Sequence, residues 1–140
     1  MIQDSLGYLL AAASRLASKE FNKTLKNYNI TAPQWSVLNF LLEEGGFPQT
    51  QIGEQLHWDK ATIGDIVENL LKKGLVTRTV SPQDRRAYQV CITPAGADII
   101  RQVLDIEEAI NADTCRGMTQ EEAALLHRLL KQAIENLSIG

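Results

Sequence analysis

Apolar residues return every three or four positions over 5–27, where Leu6, Leu9, Leu10, Ala13, Leu16, Ala17, Phe21 and Leu25 make one continuous stripe. This is the period of an amphipathic helix, and a stripe of that length needs a partner surface to cover it. A second helix is expected to begin at Thr31, which forms a capping-box pattern with Gln34, while Pro33 stands in the first turn, where no amide hydrogen is needed. Trp35, Leu38, Leu41 and Leu42 supply its inward face, and Gly45-Gly46 ends it.

From Phe47-Pro48 onward the pattern changes. A short helix is expected over 48–56 with Ile52 and Leu56 inward, then a tight turn at His57-Trp58 and a longer helix over 59–73. In the longer helix Ile63, Ile66, Val67, Leu70 and Leu71 form the core stripe, and Lys60, Ala61, Gly64, Asp65 and Glu68 face out. His57 occupies a turn position that favours glycine; histidine is among the types that tolerate the left-handed conformation there. Gly74 is the expected stop. Two alternating runs follow, 75–80 and 87–92, joined by the polar tip Ser81-Pro82-Gln83-Asp84-Arg85-Arg86. The pattern is a helix-turn-helix followed by a β-hairpin wing. On duplex DNA a helix fits a major groove of about 12 Å, and a cationic finger beside it reaches the minor groove.

Thr93-Pro94 opens another helix, with Thr93 as N-cap and Pro94 at the first helical position. Its residues Ile99, Ile100, Val103, Leu104, Ile106 and Ile110 span more than one stripe, so burial on two sides is expected. Arg116-Gly117 breaks it, Thr119 with Glu122 repeats the capping box, and Ala123, Leu126, Leu129, Leu130, Ala133, Ile134 and Leu137 make the last helix amphipathic. The fold class expected is mainly α with a small β-hairpin wing, as one domain over 1–140. Within it, 31–94 form the winged helix-turn-helix, and 1–30 and 95–140 the dimerisation helices. Two long terminal amphipathic segments bury each other most simply as a twofold dimer, which places two recognition helices on one pseudo-palindromic duplex.

The formal net charge of −3 argues, taken alone, against nucleic acid. Its distribution reverses that argument, because residues 57–97 carry six Lys/Arg against four Asp/Glu, while residues 98–140 carry four against eight. The local footprint governs binding, and the cations Lys72, Lys73, Arg78, Arg85 and Arg86 fall in the winged segment. Cys91 and Cys115 lack CxxC spacing, and no secretory h-region marks residues 1–13, so a reduced cytoplasmic protein without membrane contact is expected. His57 and His127 lack the spacing of a helical metal site. No serine-histidine-acid set, phosphate-binding glycine loop or ligand cluster points to an enzyme, a cofactor or a metal.

Four stretches in this order resemble the MarR family of bacterial winged-helix regulators: Asp59-Lys60-Ala61-Thr62, Leu70-Leu71-Lys72-Lys73-Gly74-Leu75-Val76, Asp84-Arg85-Arg86-Ala87 and Ile92-Thr93-Pro94-Ala95-Gly96. The resemblance implies an obligate homodimer and palindromic operators, with release when a small molecule, often aromatic and anionic, or an oxidant acts on the protein. By position, Arg86 is the wing-tip arginine that enters the minor groove, Asp84 orients the tip by pairing with an arginine, and Arg85 meets phosphate or that carboxylate. Lys60, Ala61 and Thr62 sit at the exposed start of the recognition helix, and Asp65 and Arg78 complete the DNA-facing set. Tyr8, Arg15, Phe21 and Trp35 are the candidates for an aromatic ligand pocket between the first two helices and the winged unit. Gly64 and Asp65 depart from the Ser/Thr and Arg that family members often carry there. Peroxide-sensing members generally use an N-terminal cysteine, which is absent here, so Cys91 and Cys115 read as structural thiols.

The function expected is therefore a homodimeric DNA-binding regulator, a repressor, modulated by a small ligand. The alternative is a winged-helix ligand-binding or protein-interaction module without specific DNA binding, motivated by Gly64, Asp65 and the acidic total. Salt separates them: phosphate contacts release counterions, whereas an apolar interface is nearly salt-indifferent.

Overall fold

A computed structural model describes residues 1–138, and their elements follow in the order α1 (Leu6–Lys26), α2 (Ala32–Glu44), α3 (Gln49–Leu56), α4 (Lys60–Lys72), β1 (Val76–Val80), β2 (Tyr88–Ile92), α5 (Pro94–Thr114) and α6 (Gln120–Ser138). A short 3-10 turn at Ile2–Asp4 precedes α1. The capping signals set these boundaries. At α2, Thr31 Oγ1 accepts from the Gln34 amide at 3.3 Å and Gln34 Oε1 accepts from the Thr31 amide at 3.1 Å. Thr119 and Glu122 make the same exchange at 3.1 and 2.9 Å ahead of α6. At α5, Thr93 Oγ1 accepts from the Gly96 amide at 3.2 Å and donates to the Gly74 carbonyl at 2.8 Å. One threonine thus starts α5 and fastens it to the end of α4.

The core sits where α1 to α5 and β2 meet. Leu25, Leu38, Ile52, Val67, Val90 and Val103, one from each of these elements, are almost wholly excluded from solvent. β1 and β2 pair antiparallel, with Val76 opposite Ile92 and Val80 opposite Tyr88. The hairpin is anchored at its base: Phe47, ahead of α3, exchanges backbone hydrogen bonds with Val90 at 2.8 and 3.1 Å. Gly96 lies against the Leu75 carbonyl so closely that a Cβ would collide with it, which fixes α5 beside β1. Only the distal half of the wing projects free.

α5 packs on both α1 and α2, and of the apolar residues expected to be covered only Leu104 is left exposed in the single chain. Gly96, Ala97, Ile100 and Val103 are buried, but Leu104 is 47% exposed. α6 contributes no buried residue; Leu129, Leu130 and Ile134 on its apolar face are each 40% exposed or more. Leu6, Leu9 and Leu16 of α1 are exposed as well. The stripes expected from the sequence are present, and the chain alone does not cover them.

Candidate nucleic-acid interface

α3 and α4 are joined by a turn that the sequence makes possible at a cost. His57 adopts the left-handed conformation, φ 61° and ψ 36°, and the Trp58 amide donates to the Gly53 carbonyl at 2.8 Å. Asp59 then caps α4 by accepting from the Thr62 amide at 2.7 Å. Hydrogen bonds from the Thr62 backbone and hydroxyl, with a smaller one from the Ala61 backbone, hold its carboxyl below the usual aspartate range. Lys60, Ala61, Asp65 and Glu68 face solvent as expected, while Thr62 is half-buried beneath its own cap. The exposed start of the helix is therefore carried by Lys60 and Ala61.

The wing tip is organised by side chains folded back on its own backbone. The Asp84 carboxylate accepts from the Arg86 amide at 3.0 Å and lies 3.6 Å from Arg86 Nε. Arg86 is the arginine that lies against Asp84, and its side chain is 93% exposed. Arg85 is exposed beside it. Ser81 was not singled out from the sequence, yet it is buried; its hydroxyl accepts from the Gln83 amide at 3.3 Å and can donate to Gln83 Oε1 at 3.2 Å. The signal was Ser-Pro between two alternating runs, a turn-initiating pair.

The remaining cations divide. Arg78 is held on the α4 side of β1, where its guanidinium donates to Glu68 at 2.9 Å and to Gln49 at 3.2 Å, bridging α4 and α3. Lys73 donates to the Asn29 carbonyl at 2.6 Å and to Gln34 Oε1 at 2.9 Å, so it fastens the end of α4 to the α1–α2 link. Lys73 is a structural tie, and Lys72 stays exposed. These partners lie 29 to 44 residues apart, beyond any local pattern, except Glu68 and Arg78, which are ten apart across the helix-to-strand bend.

The candidate ligand residues do not converge. Phe21 and Trp35 meet edge to face, with ring centroids 4.8 Å apart, and line a cavity of about 190 Å³ with Ala17, Ser18, Glu107, Ile110 and Asn111. It lies between α1, α2 and α5. Tyr8 and Arg15 are exposed and outside its wall. Helical geometry explains the separation within one chain: thirteen residues put Tyr8 about 20 Å along the axis from Phe21, and six put Arg15 about 120° around it. Glu107, unremarked in the sequence, lies in the wall; burial pushes its carboxyl up, with Glu43 and Glu108 adding repulsion. Cys91 is half-buried with its sulfur 3.6 Å from Thr79 Oγ1, and Cys115 is half-buried near the end of α5.

A capped helix presented by a left-handed turn, flanked by a hairpin ending in two exposed arginines, defines a winged helix-turn-helix protein of the nucleic-acid-binding kind. Comparison with known proteins narrows the class. The model of the MarR family matches residues 30–88. The organic hydroperoxide resistance transcriptional regulator of Bacillus subtilis is 32% identical over 109 residues, which cover 78% of this chain and 74% of that protein. The chain belongs to the MarR family, and it is a transcriptional regulator rather than an enzyme. Among solved structures, a mutant of Escherichia coli MarR complexed with operator DNA superposes with a TM-score of 0.81 at 26% identity, covering 91% of this chain and 92% of that one. Bordetella bronchiseptica BpsR, whose DNA binding is regulated by 6-hydroxynicotinic acid, gives a TM-score of 0.85 at 26% identity, with 95% of each chain covered. No helix among the described residues is long and apolar enough to cross a membrane.

Proposed function

We propose that this regulator binds a pseudo-palindromic operator as a homodimer, with α4 in the major groove and Arg86 in the adjacent minor groove, and that it represses by occupying the site. The observation that carries this reading is the outward face of α4 beside a wing tip whose 93%-exposed arginine is pre-oriented by Asp84. Arginine suits a narrow groove because it is less strongly hydrated than lysine and carries a rigid fork of donors. The dimer is supported by the uncovered leucines of α1 and α6, an apolar surface that a second copy would cover. Twofold symmetry then places the two α4 helices one or more turns of duplex apart, about 34–36 Å per turn. Repression requires no further surface, since a seated dimer excludes other proteins from the same DNA.

The cavity under Phe21 and Trp35 supports control by a small aromatic effector. At about 190 Å³ it is smaller than the pockets that hold drug-sized ligands. It touches α1 and α5, the helices that would set the separation of the two DNA-binding units. Ligand control of DNA binding in BpsR, similar over nearly its whole length, favours the same reading.

Selection of bound duplexes from a random library, repeated at two salt concentrations, tests the function. A pseudo-palindrome whose affinity falls steeply with salt is expected. Weak binding that is indifferent to sequence would instead favour a ligand-binding or protein-interaction module.

A further inference from the structure

α4 carries a glycine that nothing inside the chain requires. Gly64 is mid-helix, where glycine is less favourable than alanine, and it is not among the residues with positive φ. A Cβ built there would meet only Gln49 Nε2, at 3.5 Å, an ordinary van der Waals contact. This contrasts with Gly96 and Gly53, whose Cβ atoms would press on a backbone oxygen. The fold thus has room for a methyl group at 64 and does without it. Ala61, one turn earlier, is also small and exposed, and Gly64 itself is half-buried beside Gln49.

Next to Gly64 stands Asp65, exposed. The neighbouring cation on this surface, Arg78, is already engaged by Glu68 and Gln49. A carboxylate aimed at DNA is repelled by phosphates, yet it has one favourable major-groove partner. It is an acceptor only, so it suits cytosine, whose edge offers only the N4 amino donor; adenine sets the N7 acceptor beside its donor, and guanine and thymine offer acceptors.

We propose that Gly64 and Asp65 form a single base-reading step: the absence of a side chain at Gly64 lets α4 approach the groove floor, and the short Asp65 side chain accepts a hydrogen bond from a cytosine N4 amino group in each half-site. This rests on the operator-binding reading and names the base that α4 selects.

The test compares duplexes selected from a random library by the full-length protein and by Asp65→Ala, Asp65→Asn and Gly64→Ala. The parent is expected to recover a pseudo-palindrome with one C·G pair fixed in each half. Asp65→Ala relaxes that pair by roughly tenfold and leaves the other positions intact. Asp65→Asn moves the preference toward adenine, because an amide can donate to N7 while accepting from N6. Gly64→Ala melts no lower than the parent but loses affinity for the selected site more than for random DNA. If the Asp65→Ala consensus equals the parental one and all duplexes bind more tightly, Asp65 only repels phosphate and the base-reading step is overturned. Undiminished site affinity in Gly64→Ala overturns the close approach. Failure of the parent to select any sequence overturns operator binding itself, and the inference with it.

Discussion

At the wing tip a single carboxylate does two jobs. Asp84 accepts from the Arg86 backbone and faces its guanidinium, which shapes the turn and limits the directions the arginine can take. Arg86→Ala removes the proposed groove contact without touching the core, so operator affinity is expected to fall at least tenfold in an anisotropy titration. Melting should shift by no more than about 0.5 kcal/mol, the usual range for exposed substitutions. Unchanged affinity would remove Arg86 from the interface. Glu107 gives a second test at this scale. Its pKa is raised on folding by burial and by the nearby Glu43 and Glu108. The folded state therefore binds the proton more tightly than the unfolded one, and this contribution to stability is lost as pH rises through the raised folded value. Glu107→Gln should melt higher than the parent at neutral pH, and its advantage should shrink as pH falls below the ordinary glutamate range. An advantage that grows on acidification would contradict the assignment.

Among the elements, the joints matter more than the rods. Thr93 caps α5 and holds the Gly74 carbonyl, so it fixes the wing's base and the following helix together. Thr93→Ala is expected to destabilise by about 0.5–2 kcal/mol in denaturant unfolding, and Thr93→Ser to recover most of it. These joints were legible because capping is local: Thr31 with Gln34, Thr93 with Pro94 and Thr119 with Glu122 each lie within one turn of chain. The helix-turn-helix and hairpin were equally legible from the switch of period from 3.6 to 2. What the sequence hid were ties between distant elements, such as Lys73 to Asn29 and Gln34, and Arg78 to Gln49. Lysine at a helix C-terminus is favoured by the helix dipole whatever else it touches, so Lys73 gave no sign of its partner. Tyr8 and Arg15 lie apart from Phe21 in the single chain because sharing a helix with Phe21 does not mean sharing its face.

For the whole molecule, the decisive feature is the apolar surface left over after one chain has folded. Leu126 is half-buried and Leu130 is 40% exposed within the single chain. Their truncation should therefore act chiefly through the partner copy. Leu126→Ala and Leu130→Ala are expected to weaken dimerisation by about 2–5 kcal/mol each if the partner covers them fully. Their melting temperatures should then become more dependent on protein concentration than the parent's. Parental association in both variants would mean that α6 stays in solvent.

A dimer also explains how a chain of net charge −3 engages DNA. The acidic segment 98–140 belongs to the proposed dimerisation helices, and two copies of the locally basic winged segment face one duplex. The most direct check is sedimentation equilibrium of the protein alone and on its selected duplex. Twice the mass of one chain is expected for the protein alone, and two chains plus one duplex for the complex. A single chain seated on the duplex with full affinity would contradict it.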